Sequence, residues 1–392
     1  MSSSNLERLA YIKEITLGVT PVGPFNTIRY ISETLSGTPQ TVESAEARSD
    51  RASGGTLLTG LTVEGNIEAE FSSSATSYKD FLLGGMMAAS WIPEATSTSD
   101  FVVNNTTKTI TDTVPGTDLT TIFKVNEPIT LKTPFVLNLN KTVLVTAVTP
   151  TVVTYVGELV DETVTAAVVS RAEYAETGGG AATTEHSFSI EKNFLDLTAK
   201  AIDYLGMMVN VIGLNFTYGE LAALTLGYVG QNWQVPATPL TDPPTVVNPP
   251  DSDIPINSTG DLGVILIDGV AQDLCLQSLS VELNNNLTPQ TCIGLLTAKD
   301  VIPGSCTITL NISLYLGDNS FQYVEKKLKN TPISIFAMAQ NQDGGIGFYI
   351  PRVLLNFPDP ASSGKDTQIT LELTGTAAAP PAPQNQFRLY WI

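Results

Sequence analysis

The tetrapeptide Thr-Pro-Gln-Thr occurs twice in this chain, at Thr38–Thr41 and at Thr288–Thr291, and each time it sits in the first arm of a long hairpin pattern followed by one helical stretch. A repeated order of elements constrains architecture before any residue-level detail does. In the first copy, residues 27–48 and 57–71 read as two long strands joined by the polar turn EARSDRASGG. The second strand alternates with period 2. Val63, Gly65, Ile67, Ala69 and Phe71 fall on one face, Glu64, Asn66, Glu68 and Glu70 on the other, the mark of a half-buried strand. SYKDFLLGGMMA follows, where Tyr78, Phe81, Leu82 and Met86 recur at helical spacing. It predicts a short amphipathic helix with Ser77 as N-cap and Gly84-Gly85 as its stop.

Residues 277–328 repeat the order with a shorter turn, LLTAKDVIPGS. Ile308, Leu310, Ile312 and Leu314 alternate with Thr307, Thr309, Asn311 and Ser313, and NSFQYVEKKLKN then carries a helical stripe of Phe321, Val324 and Leu328. A second landmark is Leu-Asn-Phe, at Leu214-Asn215-Phe216 and Leu355-Asn356-Phe357, each closing a strand that leads to a polar turn and another strand. The interval from the first landmark to the second is far longer in the first copy, so that copy holds an insertion. Residues 92–182, a set of short strand patterns ending in ETGGGAATTE, supply it and read as a small β-barrel or sandwich. VPATPLTDPPTVVNPPDSDIP is a semi-rigid linker. The C-terminal arm ends in Phe387, Leu389, Tyr390, Trp391 and Ile392, an apolar tip that needs a docking site in its own subunit or a neighbour. The expected class is mainly β: two tandem sandwich or barrel domains, each with a long hairpin and one short flanking helix, plus the inserted module. The boundaries are 1–91 with 183–235 for the first domain, 92–182 for the insertion, 236–262 for the linker, 263–376 for the second domain and 377–392 for the arm.

Composition agrees with that class, since Thr, Val, Ser, Gly and Pro dominate. Acidic residues number 39 against 20 basic, a formal charge of −19. This disfavours a protein that grips nucleic-acid phosphates, and suits a surface that must stay soluble or must not stick to a polyanion. Three cysteines, Cys275, Cys292 and Cys306, are an odd number without close pairing, which argues for a reducing compartment and against a disulfide scaffold. The opening MSSSNLERLAYIKEITLG has no apolar stretch fit for a signal peptide, and no segment approaches a membrane span. Assembly in a cytoplasm is the expectation.

Nothing in the chain forms a catalytic constellation. The lone histidine, His186, lacks a neighbouring Cys or second His and reads as a surface or strand residue. No Gly-x-Ser-x-Gly elbow occurs. SSGKD, from Ser362 to Asp366, lacks the leading Gly and the hydroxyl after Lys of a phosphate loop, and reads as a turn. The cysteines lack metal spacing. Glu64, Glu68 and Glu70 line one strand face, and Asp251 and Asp253 sit in the linker; at 7% aromatic content no sugar platforms interleave with them. The reading is a protein that is not an enzyme and needs no cofactor or metal.

Several ordered pieces resemble the tail tube proteins of long-tailed bacteriophages, of the type with a duplicated tube domain. They are AYIKEITLGVTP, the hairpin-tip RSDR (Arg48 to Arg51), GLTVEGNIEAEF, the aromatic helix and Trp91, HSFSIEKNFLDL (186–197), GMMVNVIGLNF and LSVELNNNLTPQ, with the inserted module closing on LVDETVTAAVV. The resemblance covers nearly the whole chain. It implies hairpins that join into an inner barrel, three chains making a pseudo-hexameric ring, and rings stacked into a virion tail tube through which DNA passes without specific binding. The implied partners are further copies of the chain, a tape-measure protein, a tail terminator and distal tail or baseplate proteins, with no membrane. Barrel closure would remove sheet edges prone to aggregate, and a strand with one polar face suits a water-filled lumen. The candidate lumen-facing residues are Glu33, Glu43, Glu46, Glu64, Asn66, Glu68 and Glu70 in the first copy and Glu282, Asn284 and Asn286 in the second. The candidate helix-core residues are Tyr78, Phe81, Leu82, Phe321, Val324 and Leu328. The alternative is a β-modular fibre, adhesin or surface-layer protein that binds carbohydrate; a hydrolase on a β scaffold is a third reading.

Overall fold

The computed structural model describes the chain except for residues 1–5, 47–53, 74, 115, 117, 179–182, 199, 237–238, 240–253, 272–274, 361–363, 366–367 and 381–384. The RSDR tip and most of the Pro-rich linker, with Asp251 and Asp253, lie outside the described residues.

Two sets of elements follow one another in the same order. The first comprises β1 (Glu7–Lys13), β2 (Ser36–Glu43), β3 (Thr56–Glu70) and α1 (Thr76–Met86). After the barrel strands of the insertion come β4 (Glu173–Glu176), β5 (Phe188–Phe194), β6 (Ala201–Thr217) and β7 (Ala223–Gly230). The second comprises β8 (Leu262–Ile267), β9 (Leu276–Asn284), β10 (Thr307–Tyr315), α2 (Asp318–Leu328), β11 (Ile333–Asn341), β12 (Gly344–Leu355) and β13 (Thr370–Ala377), with β14 (Arg388–Trp391) closing the chain. The ladders match set for set, all antiparallel. β1 pairs β5, β5 pairs β6, β6 pairs β7, β7 pairs β3 and β3 pairs β2. In the second set β8 pairs β11, β11 pairs β12, β12 pairs β13, β13 pairs β10 and β10 pairs β9. Even the irregularities correspond, with an extra residue on β6 between Tyr204 and Met207, opposite Phe188–Ile190, and another on β12 between Ile350 and Val353, opposite Ile333–Ile335.

The short sequence landmarks do not share a register. Past its bulge, Val209 on β6 faces Tyr228, which faces Gly65. At the matching place Leu355 on β12 faces Gly375, which faces Leu310. Leu355 therefore corresponds to Val209, not to Leu214. Thr-Pro-Gln-Thr is displaced too: Thr38 faces Thr62 close to Gly65, whereas Thr288 faces Ile302, further from Leu310 and nearer the hairpin tip. The repeat is a repeat of ladders and bulges, and the identical letters fall on it at different heights.

One apolar cluster runs through both sets, including Tyr11, Ile67, Phe81, Phe188 and Leu226 from the first and Ile312, Tyr323, Ile335 and Phe348 from the second. Phe81 packs 4.5 Å from Tyr11 and edge-on to Phe188 at 4.9 Å between ring centroids. The helix containing it departs from the expected ends. Ala75 is the N-cap, Ser77 is buried in the first turn, and Met87, in the left-handed region, closes the helix. Gly84 and Gly85 are inside it. A Cβ on Gly85 would lie 2.5 Å from Ile212 Cδ1, so this glycine exists to let the helix approach β6.

The second helix is turned relative to the expected stripe. Tyr323 and Ser320 face inward and Val324 is half-buried, while Phe321 and Leu328 are exposed at 53% and 76%. Tyr323 is the largest apolar body available to fill the core there, and Ser320 can turn inward because its Oγ accepts from the Gly317 N–H. The expected first arm, residues 27–48, is also broken. It contains short pieces at Asn26–Thr27 and Ser32–Glu33 before β2, and at the break the Glu33 carboxylate accepts from the Leu35 N–H, a local bond that competes with the ladder.

The inserted strands, between Ala95 and Arg171, close into a six-strand barrel with its own core of Phe101, Leu131, Phe135, Val143, Tyr155 and Val169. This barrel is docked on the second set by the C-terminal strand. β14 pairs β4 on one side and β12 on the other. Tyr390 is buried, packs with Leu144, Phe336 and Met338, and donates through its hydroxyl to the Asn126 carbonyl at 2.8 Å. Arg388 bonds Glu176 and reaches Glu127 at 3.4 Å. The apolar tip of the arm thus finds its dock within its own chain.

Candidate functional site

β9 of the second set pairs directly with β6 of the first, from Val211 opposite Asn284 to Thr217 opposite Ser278. Eight strands therefore form one continuous antiparallel sheet in the order β2, β3, β7, β6, β9, β10, β13, β12. Because side chains alternate across a strand, each ladder row belongs to one face. One row reads Ala69, Leu224, Leu214, Val281, Leu310, Gly375, Leu355, and its apolar side chains are all buried. The adjacent row reads Glu68, Thr225, Gly213, Glu282, Thr309, Thr376, Leu354 and lies on the opposite face.

That opposite face collects most of the acidic and polar residues singled out in the sequence. Glu64, Asn66, Glu68 and Glu70 lie along β3 and Glu282 and Asn284 along β9. Asn286, just past β9, donates to the Ser305 carbonyl and touches Thr307 on the same side. Ser32 Oγ donates to Glu68 Oε2 at 3.1 Å, and Ser313 Oγ to Glu372 Oε1 at 2.6 Å. Among the described residues, Arg352 near the end of β12 is the one Lys or Arg of the eight strands on this face, and none stands opposite its carboxylates in the ladders of β3, β7, β6, β9, β10 and β13. Glu372, Thr374 and Thr376 on β13 complete it. They were missed in the sequence, although TLELTGTA carries the same period-2 signal as β3.

Three candidates do not join this face. Glu33 stands opposite Ile67, on the apolar side, and is ion-paired with Lys192 of β5. Glu43 lies at the end of β2 opposite Thr56, beyond the bulge at Gln40 and Thr41, and Glu46 is exposed beyond the strand. Of the helix candidates, Tyr78, Phe81 and Leu82 are in the core and Val324 is packed against it, whereas Phe321 and Leu328 are not.

The two outer edges of the sheet are open. On β6, the side that β5 occupies as far as Met207 is taken further along by β9. On β12, the side that β11 occupies as far as Val353 has no ladder beyond it among the described residues. β2 likewise pairs on one side only among the described residues. The chain thus holds one filled junction between its sets and the two halves of a second.

His186 is buried with Nε2 2.7 Å from the Ala88 carbonyl, and burial lowers its pKa. The three cysteines are free. Asp203 is buried opposite Glu191, and burial, reinforced by that carboxylate, raises its pKa to about 6. No helix is long and apolar enough to cross a membrane among the described residues.

The chain is thus a tandem β-protein with one shared sheet and an acidic face. The chain belongs to the phage tail tube protein family, whose model matches residues 4–377. No individual curated protein matches the sequence. Family membership makes the chain a structural component of the virion tail.

Proposed function

We propose that three chains close head to tail into a pseudo-hexameric ring, and that such rings stack into the hollow tail tube that conducts DNA. The observation that carries this reading is the junction of β6 with β9, an in-chain example of the contact by which the open edge of β12 would receive β2 of the next chain. A heterologous contact of this kind makes rings when its rotation closes, and closure removes both open edges. The polar face then lines the lumen. Its unpaired carboxylates repel phosphate, so DNA slides instead of adhering.

In this account residues 1–91 with 183–235 form the first tube domain, 263–376 the second, 236–262 the linker and 377–392 the arm. The 92–182 module decorates the outside of the tube. A tape-measure protein occupies the lumen during assembly in the host cytoplasm, with terminator and distal tail or baseplate proteins at the two ends. The protein acts without catalysis. Negative-stain microscopy of the purified chain at high concentration tests the reading: hollow rings or stacked tubes are expected, and monomers at every concentration and ionic strength would overturn it.

A further inference from the structure

α2 shows solvent an apolar stripe that its counterpart in the first set buries. The helices are of equal length, and matching them end to end places Phe81 on Tyr323, both fully buried, and Met86 on Leu328. Met86 is 1% exposed, against 76% for Leu328. The end of α1 is covered on one side by residues ahead of β5, where Gly178 and Thr184 donate to the Met86 and Met87 carbonyls, and on the other by the second set, reached across the junction of β6 with β9. Asn285 Nδ2 donates to the Gly85 carbonyl at 2.8 Å, Leu287 and Val301 pack with Met87, and Pro303 and Gly304 line the cleft beside Met86. These residues belong to the second hairpin where it leaves β9. Leu58 precedes Gly65 by as many residues as Pro303 precedes Leu310, so the exposed Leu58, opposite Thr41 across the ladder, holds the place of Pro303 in the first hairpin.

We propose that the Phe321–Leu328 stripe of α2 is the docking face for the first hairpin of a second copy of this chain. Leu58 seats against Leu328 as Pro303 lies beside Met86 in the filled junction. The proposal rests on the ring reading and adds what sets its register. Edge pairing alone tolerates slippage, but a slip of one residue would turn Leu58 away from the helix and leave both side chains in water. The helix contact thus selects one alignment of β2 on β12. It also accounts for the stripe of Phe321, Val324 and Leu328, which is a burial pattern completed between chains.

Leu328→Glu tests this, because an exposed position leaves the isolated chain folded, as circular dichroism and the melting temperature will report. The expected result is a shift of ring formation to at least about tenfold higher protein concentration. A second arm places Leu58→Cys and Leu328→Cys in a background of C275S, C292S and C306S; oxidation is expected to give covalent dimers and trimers. Leu328→Glu rings forming at the wild-type concentration, or rings of the double-cysteine chain that oxidise without cross-linking, would overturn the docking proposal and leave the ring reading standing. Failure of the wild-type chain to form rings would instead overturn the ring reading itself.

Discussion

Gly84 and Gly85 of α1 give a paired test of how this helix is held. An alanine at an interior helix position gains about 1 kcal/mol of propensity over glycine. At Gly84 the new Cβ would stand 3.1 Å from Phe188 Cε2 and 3.3 Å from Cζ, a gap a small ring shift relieves. At Gly85 it would stand 2.5 Å from Ile212 Cδ1, 2.6 Å from Ile212 Cγ1 and 2.9 Å from Val209 Cγ1, with both residues buried in the strand beneath. Overpacking of that kind costs about 1–3 kcal/mol. Gly84→Ala is therefore expected to be neutral within about 0.5 kcal/mol. Gly85→Ala should destabilise by up to about 2 kcal/mol after the propensity gain is subtracted. In calorimetry this is a fall of about 2–4 °C per kcal/mol for a unit of this size. If the pair instead acted as a helix stop, the residue nearer the end in the left-handed conformation would be the sensitive one and Gly85 would tolerate no helical geometry at all. A Gly85→Ala chain that melts at or above the wild-type temperature would refute the close-approach argument.

Other consequences are as direct. Asp203 has a folded pKa near 6 against 3.8 when exposed, raised by burial and by Glu191, so its protonated form favours the fold: stability is complete below about pH 4 and declines as pH rises through about 6. Asp203→Asn should flatten that slope in denaturation curves taken across this window, and an unchanged slope would count against it. Tyr390→Ala removes a buried ring and its bond to the Asn126 carbonyl, a loss of about 3–5 kcal/mol, and should loosen the inserted barrel so that limited proteolysis cuts beside it faster than in the parent. Glu68→Lys with Glu282→Lys places cations in one row of the polar face; assembled tubes should then retain DNA at low salt and release it at high salt, while the parent retains none. Tubes of this variant that ignore DNA at every salt concentration would remove the face from the lumen.

The strand patterns were the most legible part of this chain, and the β3 alternation placed Val63, Ile67 and Ala69 inside and Glu64, Asn66 and Glu68 outside. Period 2 reports a face directly, because a strand in a two-sided sheet has only two choices. Face membership across eight strands was not legible, since it depends on which strands pair. Glu33 shows why: it lies in the same arm as β2, yet a local bend puts it opposite Ile67 and against Lys192. The identical Leu-Asn-Phe and Thr-Pro-Gln-Thr letters led to a true repeat although they mark different heights on it, because bulges, which no four-letter match reports, set the register. The α2 stripe failed in the single chain for another reason. Helical periodicity says that Phe321 and Leu328 are to be covered, and says nothing of which chain covers them.

The count of chains in a closed ring tests the central claim most directly. Native mass spectrometry of the assembled species, with the cross-section of the tube by electron cryomicroscopy, measures it. Three chains per ring with six matching sectors around a hollow centre is the result predicted, the junction of β6 with β9 alternating with that of β12 with β2. Six chains per ring, or an assembly in which the β12 edge is left open, would contradict the account.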